Sequence, residues 1–315
     1  MTINVWTEKY RPQGLSDVIN QKHVVERLKA WVKEKSIPNM LFAGSAGVGK
    51  TTTALALAKE LFGEHWRENF QETNASDARG IDVVRGRIKD FARTKAFNAE
   101  FKVIFLDESD SLTPEAQQAL RRTMETFSAT TRFILSANYS SKIIEPIQSR
   151  TVVFRFKNLG KEHVAEYINR IAKGEGLAVS NDAIDAIYDI SQGDLRKATN
   201  LLQASTALGK ITKDTVYDVA AQAKPGDIKD MLDLALGGKF SEARKKLYIM
   251  LINQGLSGED IIKAIHHQIF DLGIPEDKKL ELIEKVGEAE YRLNMGGSED
   301  LQLTALLAQF LKPKK

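Results

Sequence analysis

The sequence of 315 residues predicts an α/β domain with a five-stranded parallel sheet and helices on both faces, followed by two helical domains. Apolar runs alternate with helical patterns from about residue 39 to 156, which is typical of a buried parallel sheet. After residue 157 only helical patterns remain. A proline and a glycine at 225–226 then interrupt the helical period. We therefore predict domains at 1–159, 160–225 and 226–315.

Five short apolar runs are the predicted strands. In chain order they read MLFA, FQETN, FKVIFLD, RFILSAN and TVVFRF. The segments between them carry the spacing of amphipathic helices. Because open parallel sheets bind ligands at the carboxyl ends of their strands, we expect the functional residues there.

Composition excludes several kinds of site. The chain has no cysteine, which rules out disulfides, thiolate zinc sites and a cysteine nucleophile, and its five histidines have no metal-ligand spacing. The net charge is only +3, so binding to nucleic acid would need a local basic patch. The N-terminal stretch MTINVWTEKYRP has no signal-peptide pattern, and no apolar run is long enough to span a membrane. We expect a cytoplasmic protein without a membrane partner.

A glycine-rich loop follows the first predicted strand. Residues 44–51 read GSAGVGKT, which fits the pattern G-x-x-x-x-G-K-S/T, and a helical pattern begins at once. Backbone N–H groups of such a loop wrap a polyphosphate, and the helix N-terminus adds its dipole. Lys50 would reach the β- and γ-phosphates, and Thr51 would be a ligand of Mg²⁺. A simple glycine turn is the alternative, but the strand, loop and helix together predict nucleotide binding. The predicted loop contacts are Gly44, Ser45, Ala46, Gly47, Val48, Gly49, Lys50, Thr51 and Thr52.

An acidic pair ends the third predicted strand. Asp107 and Glu108 follow the apolar run FKVIFL. Asp107 would hold Mg²⁺ through water, and Glu108 would polarise the water that attacks the nucleotide. Alternatively, both acids belong to the caps before the helix that Pro114 begins. The phosphate loop upstream favours the catalytic interpretation.

Three further polar residues stand where a nucleotide could be contacted. Asn138 ends the fourth strand and could hydrogen-bond a γ-phosphate or its water. Arg150 precedes the last strand, and Arg196 lies in the first turn of a later helix. The planar guanidinium group pairs with two phosphate oxygens at once, although either arginine could instead form a surface ion pair.

These motifs resemble one family over essentially the whole chain. The diagnostic stretches are WTEKYRP, GSAGVGKTTTALALAKELFG, NASDARGIDVVR, FLDESDSLTPEAQQALRRTME, FILSANYSSKIIEPIQSR and GDLRKA. The sequence resembles AAA+ clamp-loader subunits, specifically the replication factor C small subunits of archaea. The resemblance implies ATP and Mg²⁺ as cofactors, a helical lid at 160–225 and a collar at 226–315 that holds subunits together. A helical cap is the alternative for the last part.

The resemblance also implies roles for single residues. Asn138 is similar to sensor 1 and Arg196 to sensor 2, and Arg150 is similar to the arginine finger inserted into a neighbouring subunit's ATP site. With Lys50 and Glu108, these residues form the implied catalytic set. Segments that cradle adenine and ribose in such proteins match Val5, Tyr10, Arg11, Pro12, Val18 and Ile19.

Some positions depart from the family pattern. Ser45 and Ala46 stand where two prolines are usual, which raises the question of how the phosphate loop is stiffened. Ala78 replaces a glutamate near the implied DNA path, Ser109 an alanine, and Thr151 a cysteine. None of these changes removes an implied phosphate, magnesium or water ligand.

A basic helix is the predicted DNA contact. In RGIDVVRGRIKDFARTK, three basic side chains recur at every fourth residue beside an apolar face of Ile81, Val84, Ile88 and Phe91. Such a stripe can follow phosphates without reading sequence, whereas a solvated basic face is the alternative. The predicted DNA contacts are Arg79, Arg85, Lys89, Arg93 and Lys142.

The implied function is an ATP-driven switch. The resemblance implies that the chain assembles with a replication factor C large subunit and further copies of itself. It also implies that the assembly holds a ring-shaped sliding clamp and closes on primer–template DNA. The helix after Pro114 faces the clamp in relatives, and its other face can pack on the sheet. Two alternatives stay open, a AAA+ DNA motor of the branch-migration type and a scaffold subunit that does not hydrolyse ATP.

Overall fold

The structure is a computed structural model that describes residues 5–76 and 84–311. It divides into two compact units, the first ending at Gln203 and the second beginning at Ala204. The predicted division into three domains at 159 and 225 stays a prediction.

The first unit is built on five parallel strands in the spatial order β2-β3-β4-β1-β5. This confirms the predicted five-stranded parallel sheet. Because β4 lies between β3 and β1, the loops that follow these three strands emerge side by side. The strands are β1 Met40–Ala43, β2 Phe70–Asn74, β3 Lys102–Asp107, β4 Thr131–Ala137 and β5 Val152–Arg155.

Helices cover both faces of this sheet, as predicted. Successive side chains of a strand point to opposite faces, and in β1 Met40 and Phe42 enter one core while Leu41 enters another. The first core contains the buried side of the helix that carries the phosphate loop, including Leu57. The second contains Leu120 from the helix after the acidic pair. The sheet is thereby shielded from water on both sides, which explains its nearly continuous apolar strands.

Ten α-helices are described in the first unit. They are α1 Trp6–Lys9, α2 Lys22–Glu34, α3 Lys50–Phe62, α4 Trp66–Asn69, α5 Lys89–Arg93, α6 Pro114–Thr126, α7 Glu145–Gln148, α8 Lys161–Glu175, α9 Asn181–Ser191 and α10 Leu195–Ser205, whose last residues belong to the second unit. Short 3₁₀ turns lie at Leu15–Asp17, Gly63–His65, Ser109–Ser111 and Ser140–Lys142, and a π turn at Val84–Ile88 leads into α5.

In the part of the second unit that the structure describes, all regular elements are helices, as predicted. They are the 3₁₀ turn Thr206–Leu208, α11 Lys213–Ala220, α12 Pro225–Leu236, α13 Phe240–Tyr248 with the π turn Ile249–Asn253, α14 Gly258–Ile269, α15 Glu276–Asn294 and α16 Glu299–Gln309. One core, formed between Ala223 and Phe310, joins α12 to α16. Across the described residues of the chain, no helix has the length and apolar composition that a bilayer crossing requires.

Candidate active site

A pocket at the carboxyl ends of β1, β3 and β4 collects most of the predicted site residues. The N-terminal segment, the phosphate loop and α10 complete its walls. The predicted residues that line it are Arg11, Pro12, Val18, Ile19, Ala46, Gly47, Val48, Gly49, Lys50, Thr51, Thr52, Asp107, Glu108, Asn138 and Arg196. Val5, Tyr10, Gly44, Ser45 and Arg150 were also predicted and do not line the pocket.

The phosphate loop is packed directly against the start of α10. Gly47 has a φ of +68°, and a Cβ at this position would lie 1.9 Å from Oδ1 and 2.9 Å from Cα of Asp194. The Leu195 N–H donates to the Gly47 carbonyl at 3.2 Å. A side chain at residue 47 would therefore separate the loop from the helix that carries Arg196.

Ser45 restrains the phosphate loop at a position where the family usually has a proline. Its hydroxyl donates to Asn158 Oδ1 at 2.6 Å, which ties the loop to the segment after β5. A Cβ on Gly44 would come within 2.8 Å of the Phe156 carbonyl oxygen, so the loop also approaches this segment closely with its backbone. The loop is thus restrained by contacts across the fold.

Lys50 is buried at the base of the loop. Its ammonium group donates to the carbonyls of Gly44 at 2.6 Å and Ser45 at 2.8 Å, and to Asn138 Oδ1 at 3.0 Å. Burial lowers the pKa of Lys50, while the negative charges of Asp107 and Asp110 oppose the shift. Three oxygen atoms therefore direct the ammonium group to the place where the loop meets the end of β4.

Thr51 and Asp107 form an oxygen pair in the pocket. The Thr51 hydroxyl, in the first turn of α3, donates to Asp107 Oδ2 at 2.7 Å. Mg²⁺ prefers hard oxygen ligands and takes one or two of them from protein beside phosphate and water. A hydroxyl and a carboxylate at this spacing fit such an ion, so these two residues could hold magnesium.

Glu108 follows this pair in a left-handed turn. Its φ is +52°, a left-handed conformation that costs about 1–2 kcal/mol for a residue other than glycine. Its N–H donates to Asp107 Oδ1 at 3.0 Å, and its side chain is exposed where it lines the pocket. The turn places the Asp107 carboxylate against Thr51 and leaves the Glu108 carboxylate open to a water molecule.

Asp110 is a site residue that the sequence analysis did not identify. Its Oδ2 accepts hydrogen bonds from the N–H groups of Asn138 and Tyr139, each at 3.2 Å. It thereby fixes the loop after β4, on which the Asn138 amide faces Lys50. A carboxylate three residues after Asp107 could have been considered, but nothing in the sequence pairs it with the next strand.

The start of α10 is capped by Asp194. Its Oδ1 accepts from the N–H groups of Arg196 at 2.8 Å and Lys197 at 3.0 Å, which is the usual N-cap arrangement. This cap orients the first helical turn, and the exposed Arg196 lines the pocket from it. Tyr167 and Thr199 line the same side and have no sequence motif that marks them.

Tyr10 acts outside the pocket. Its hydroxyl donates to Glu175 Oε1 at 2.8 Å, and Lys9 Nζ lies 2.6 Å from the same oxygen. Burial raises the pKa of Tyr10, and the bond to Glu175 adds to this. In this position the side chain joins α1 to α8, and the predicted contact of Tyr10 with adenine or ribose stays a prediction. Arg11 and Pro12, next in sequence, do line the pocket.

Two family models match the chain. The model described as "ATPase family associated with various cellular activities (AAA)" matches residues 40–159, which contain the whole sheet. The model described as "Replication factor C C-terminal domain" matches residues 223–309. The two matches together cover both the phosphate-loop domain and the helical core of the second unit.

Full-length relatives decide the family. The replication factor C small subunit of Sulfolobus acidocaldarius is 55% identical over 97% of this chain and 95% of its own length. The replication factor C small subunit of Methanocella arvoryzae is 53% identical over 97% of this chain and 96% of its own length. The chain belongs to the replication factor C small-subunit family. It is a AAA+ clamp-loader subunit of DNA replication and an ATPase that binds nucleotide.

Solved structures show the same fold at low identity. The Thermotoga maritima RuvB Holliday junction branch migration motor matches 81% of this replication factor C subunit and 90% of its own chain, with a TM-score of 0.56 and 19% identity. A variant of that RuvB protein matches 94% of this chain and 88% of its own chain, with a TM-score of 0.57 and 20% identity. At this identity the likeness concerns the fold alone.

Arg150 of this replication factor C subunit lies apart from its own pocket. It follows α7, where its Nη2 is 2.8 Å from Glu125 Oε1 and its Nη1 donates to the Pro146 carbonyl at 2.7 Å. The ion pair that the sequence analysis kept as an alternative is therefore present. Because the guanidinium group is not among the pocket walls, any contact with nucleotide would be made elsewhere.

The predicted DNA-binding residues are described only in part. Arg79 lies outside the described residues, and so does the side chain of Arg85. Lys89 is half-buried, whereas Arg93 and Lys142 are exposed. The described part of the expected helix begins with the π turn Val84–Ile88, which winds less per residue than an α-helix and was not predicted.

Proposed function

We propose that this chain is the ATP-hydrolysing subunit that opens a ring-shaped sliding clamp and loads it onto primer–template DNA, with ATP sites completed between subunits. One observation supports this most. The pocket contains the phosphate loop, the acidic pair, Asn138 and Arg196, whereas Arg150 is presented outside it.

The phosphate loop and Lys50 would bind the triphosphate of ATP. In the described contacts Lys50 Nζ donates to neutral carbonyl and amide oxygens. Phosphate oxygens are stronger acceptors because they are charged. Thr51 and Asp107 would hold Mg²⁺, which would neutralise charge on the β- and γ-phosphates. Arg11, Pro12, Val18 and Ile19 would enclose the adenine and ribose.

Glu108 would act on the water that attacks the γ-phosphate. Its exposed carboxylate lines the same pocket as the phosphate loop, so it can accept a proton from a water placed between them. Asn138, held by Asp110, would orient this water or the γ-phosphate. Arg196 would add positive charge from α10 once the nucleotide is bound.

Arg150 would complete the ATP site of a neighbouring subunit. A guanidinium group supplied in trans stabilises the charge that develops on the phosphate during transfer. The partners would be a replication factor C large subunit and further copies of this chain. Hydrolysis would then depend on assembly, which lets DNA and the clamp control it.

DNA would be held by its phosphates. The exposed Arg93 and Lys142 and the half-buried Lys89 are the described members of the proposed contact set, which also includes Arg79 and Arg85. Phosphate contacts are independent of sequence, as a protein that accepts any primer–template junction requires. The likeness to RuvB does not favour a motor, since it extends to the fold only.

The test is steady-state ATP hydrolysis by the chain assembled with its large subunit. Primed DNA and sliding clamp are added separately and together, with Lys50→Ala and Arg150→Ala as comparison variants. The proposal expects strong joint stimulation that both variants lose. Hydrolysis that ignores the clamp would favour a DNA motor, and an assembly without hydrolysis would favour a scaffold.

A further inference from the structure

Arg150 is held by a glutamate of α6. Glu125 Oε1 lies 2.8 Å from Arg150 Nη2, and the Pro146 carbonyl accepts from Nη1 at 2.7 Å. The arginine side chain is 39% exposed. A longer contact joins Nη1 to the Ser149 hydroxyl at 3.4 Å, so protein oxygens orient the guanidinium group while it still faces solvent.

Glu125 lies on a helix that packs against the sheet. It lies in the last turn of α6, whose Leu120 and Met124 are buried in the core on one face of the sheet. Arg121, one turn earlier on the same helix face, places Nη1 3.8 Å from the same Oε1. The same carboxylate oxygen is thus near a second guanidinium group from its own helix.

The ion pair contributes little to folding, because exposed pairs are largely screened by solvent. It matters more for orientation. An arginine that must reach a phosphate loses rotamer freedom when it binds, and a side chain that is already restricted loses less. Arginine also carries more N–H donors than these contacts use, so a second anion can still be bound.

We propose that Glu125 is a positioning residue for Arg150, which holds the guanidinium group in the orientation needed for the phosphates of a nucleotide on the neighbouring subunit. This inference rests on the proposed function, in which Arg150 completes that site. Glu125 touches no nucleotide and acts through Arg150 alone.

The experiment measures ATP hydrolysis by the assembled complex with primed DNA and clamp. In Glu125→Ala, kcat should fall about tenfold because the reacting groups are less well oriented. KM for ATP should not change, because the nucleotide is bound by the pocket of the other subunit. Glu125→Gln keeps an oxygen acceptor and should have an intermediate kcat. Glu34→Ala, at an exposed position at the end of α2, should match wild type.

A double-mutant cycle separates positioning from a structural role. Once Arg150 is alanine, the further change Glu125→Ala should leave kcat unaltered, because the group it orients is gone. A second loss in the double variant would overturn the inference, since Glu125 would then act elsewhere.

The remaining outcomes distinguish the inference from the proposed function. If Glu125→Ala has a kcat at or above wild type while Arg150→Ala is impaired, only the inference is overturned. If Arg150→Ala itself hydrolyses ATP like wild type, the ATP site completed in trans is wrong, and the role of Glu125 falls with it.

Discussion

Gly47 is the residue at which the phosphate loop and α10 come closest. Its φ is +68° and a Cβ would overlap Asp194, so two separate penalties apply to any side chain there. Gly176 has nearly the same φ, +67°, with no atom within 4 Å of its Cβ position. The two glycines therefore separate backbone strain from steric overlap.

We predict that Gly47→Ala weakens ATP binding about tenfold or more, an affinity change of about 1.4 kcal/mol, because the loop and the start of α10 must separate. Gly176→Ala should destabilise folding by only about 1–2 kcal/mol, the cost of a left-handed alanine, and leave binding intact. Calorimetric titration and urea unfolding measure both effects. Equal binding by both variants would show that the close approach at Gly47 has no influence on the nucleotide.

Lys102 is a buried cation at the start of β3, with 4% of its surface exposed. Its ammonium group donates to the Thr94 hydroxyl and lies 4.1 Å from the centre of the Phe91 ring. Burial lowers the pKa of Lys102 from 10.5. Between the folded pKa and 10.5 the unfolded chain therefore binds the proton better than the folded chain.

The free energy of unfolding contributed by Lys102 rises as pH increases through this window, because the unfolded chain binds more protons there and unfolding therefore becomes less favourable as protons become scarcer. We predict that Lys102→Met removes this rise, whereas Lys33→Met, at an exposed position, does not. Urea unfolding at a series of pH values from neutral to 10.5 measures this rise in the free energy of unfolding. A rise in Lys102→Met as large as in wild type would contradict the assignment.

Among the elements, α1 and α8 are joined by a small polar cluster. Glu175 accepts from Lys9 and Tyr10, and Gly174 leaves room for the tyrosine, since a Cβ there would lie 2.4 Å from its hydroxyl. The hydrogen bond from Lys9, followed by that from Tyr10, lowers the pKa of Glu175 from 4.5. The N-terminal segment that lines the pocket is thereby connected to the helix across from it.

Glu175 should make this connection sensitive to acid. A carboxylate with a lowered folded pKa stabilises the fold fully above 4.5, and this stabilisation is lost as pH falls through the folded pKa. We predict that Glu175→Gln unfolds with a shallower pH dependence below 4.5 than wild type. Glu34→Gln, at an exposed position on α2, is the control. The same pH dependence of unfolding for Glu175→Gln and wild type below 4.5 would show that the cluster does not contribute to stability.

The elements themselves were largely predictable. Each strand is a short apolar run between helical patterns, and burial on both faces of the sheet imposes that pattern on the sequence. The helix proposed to contact DNA was predicted less well. Its apolar residue Ile88 is buried as expected, but the π turn before α5 was missed, because a single π turn has no sequence signature of its own.

For the whole molecule, the core of the second unit is self-contained. Its members all lie between Ala223 and Phe310, and they include the fully buried Ile265. We predict that a fragment of residues 223–315 is helical and unfolds cooperatively, because it keeps this core complete. Circular dichroism during urea titration measures it. The same fragment with Ile265→Asp, which buries an unpaired charge, should lose the transition, and a gradual loss of helicity in the unaltered fragment would contradict independent folding.

Residue patterns alone predicted the parallel sheet, the phosphate loop and the polar residues at the strand ends. These features are local, since burial and phosphate binding each restrict residue types over a few consecutive positions. Only the folded chain shows which distant residues support them. These are Asp110 for the Asn138 loop, Asp194 at Gly47, Glu175 for Tyr10 and Glu125 for Arg150. A single contact between polar side chains far apart in the chain leaves no periodic pattern, and only the folded backbone brings its two partners together.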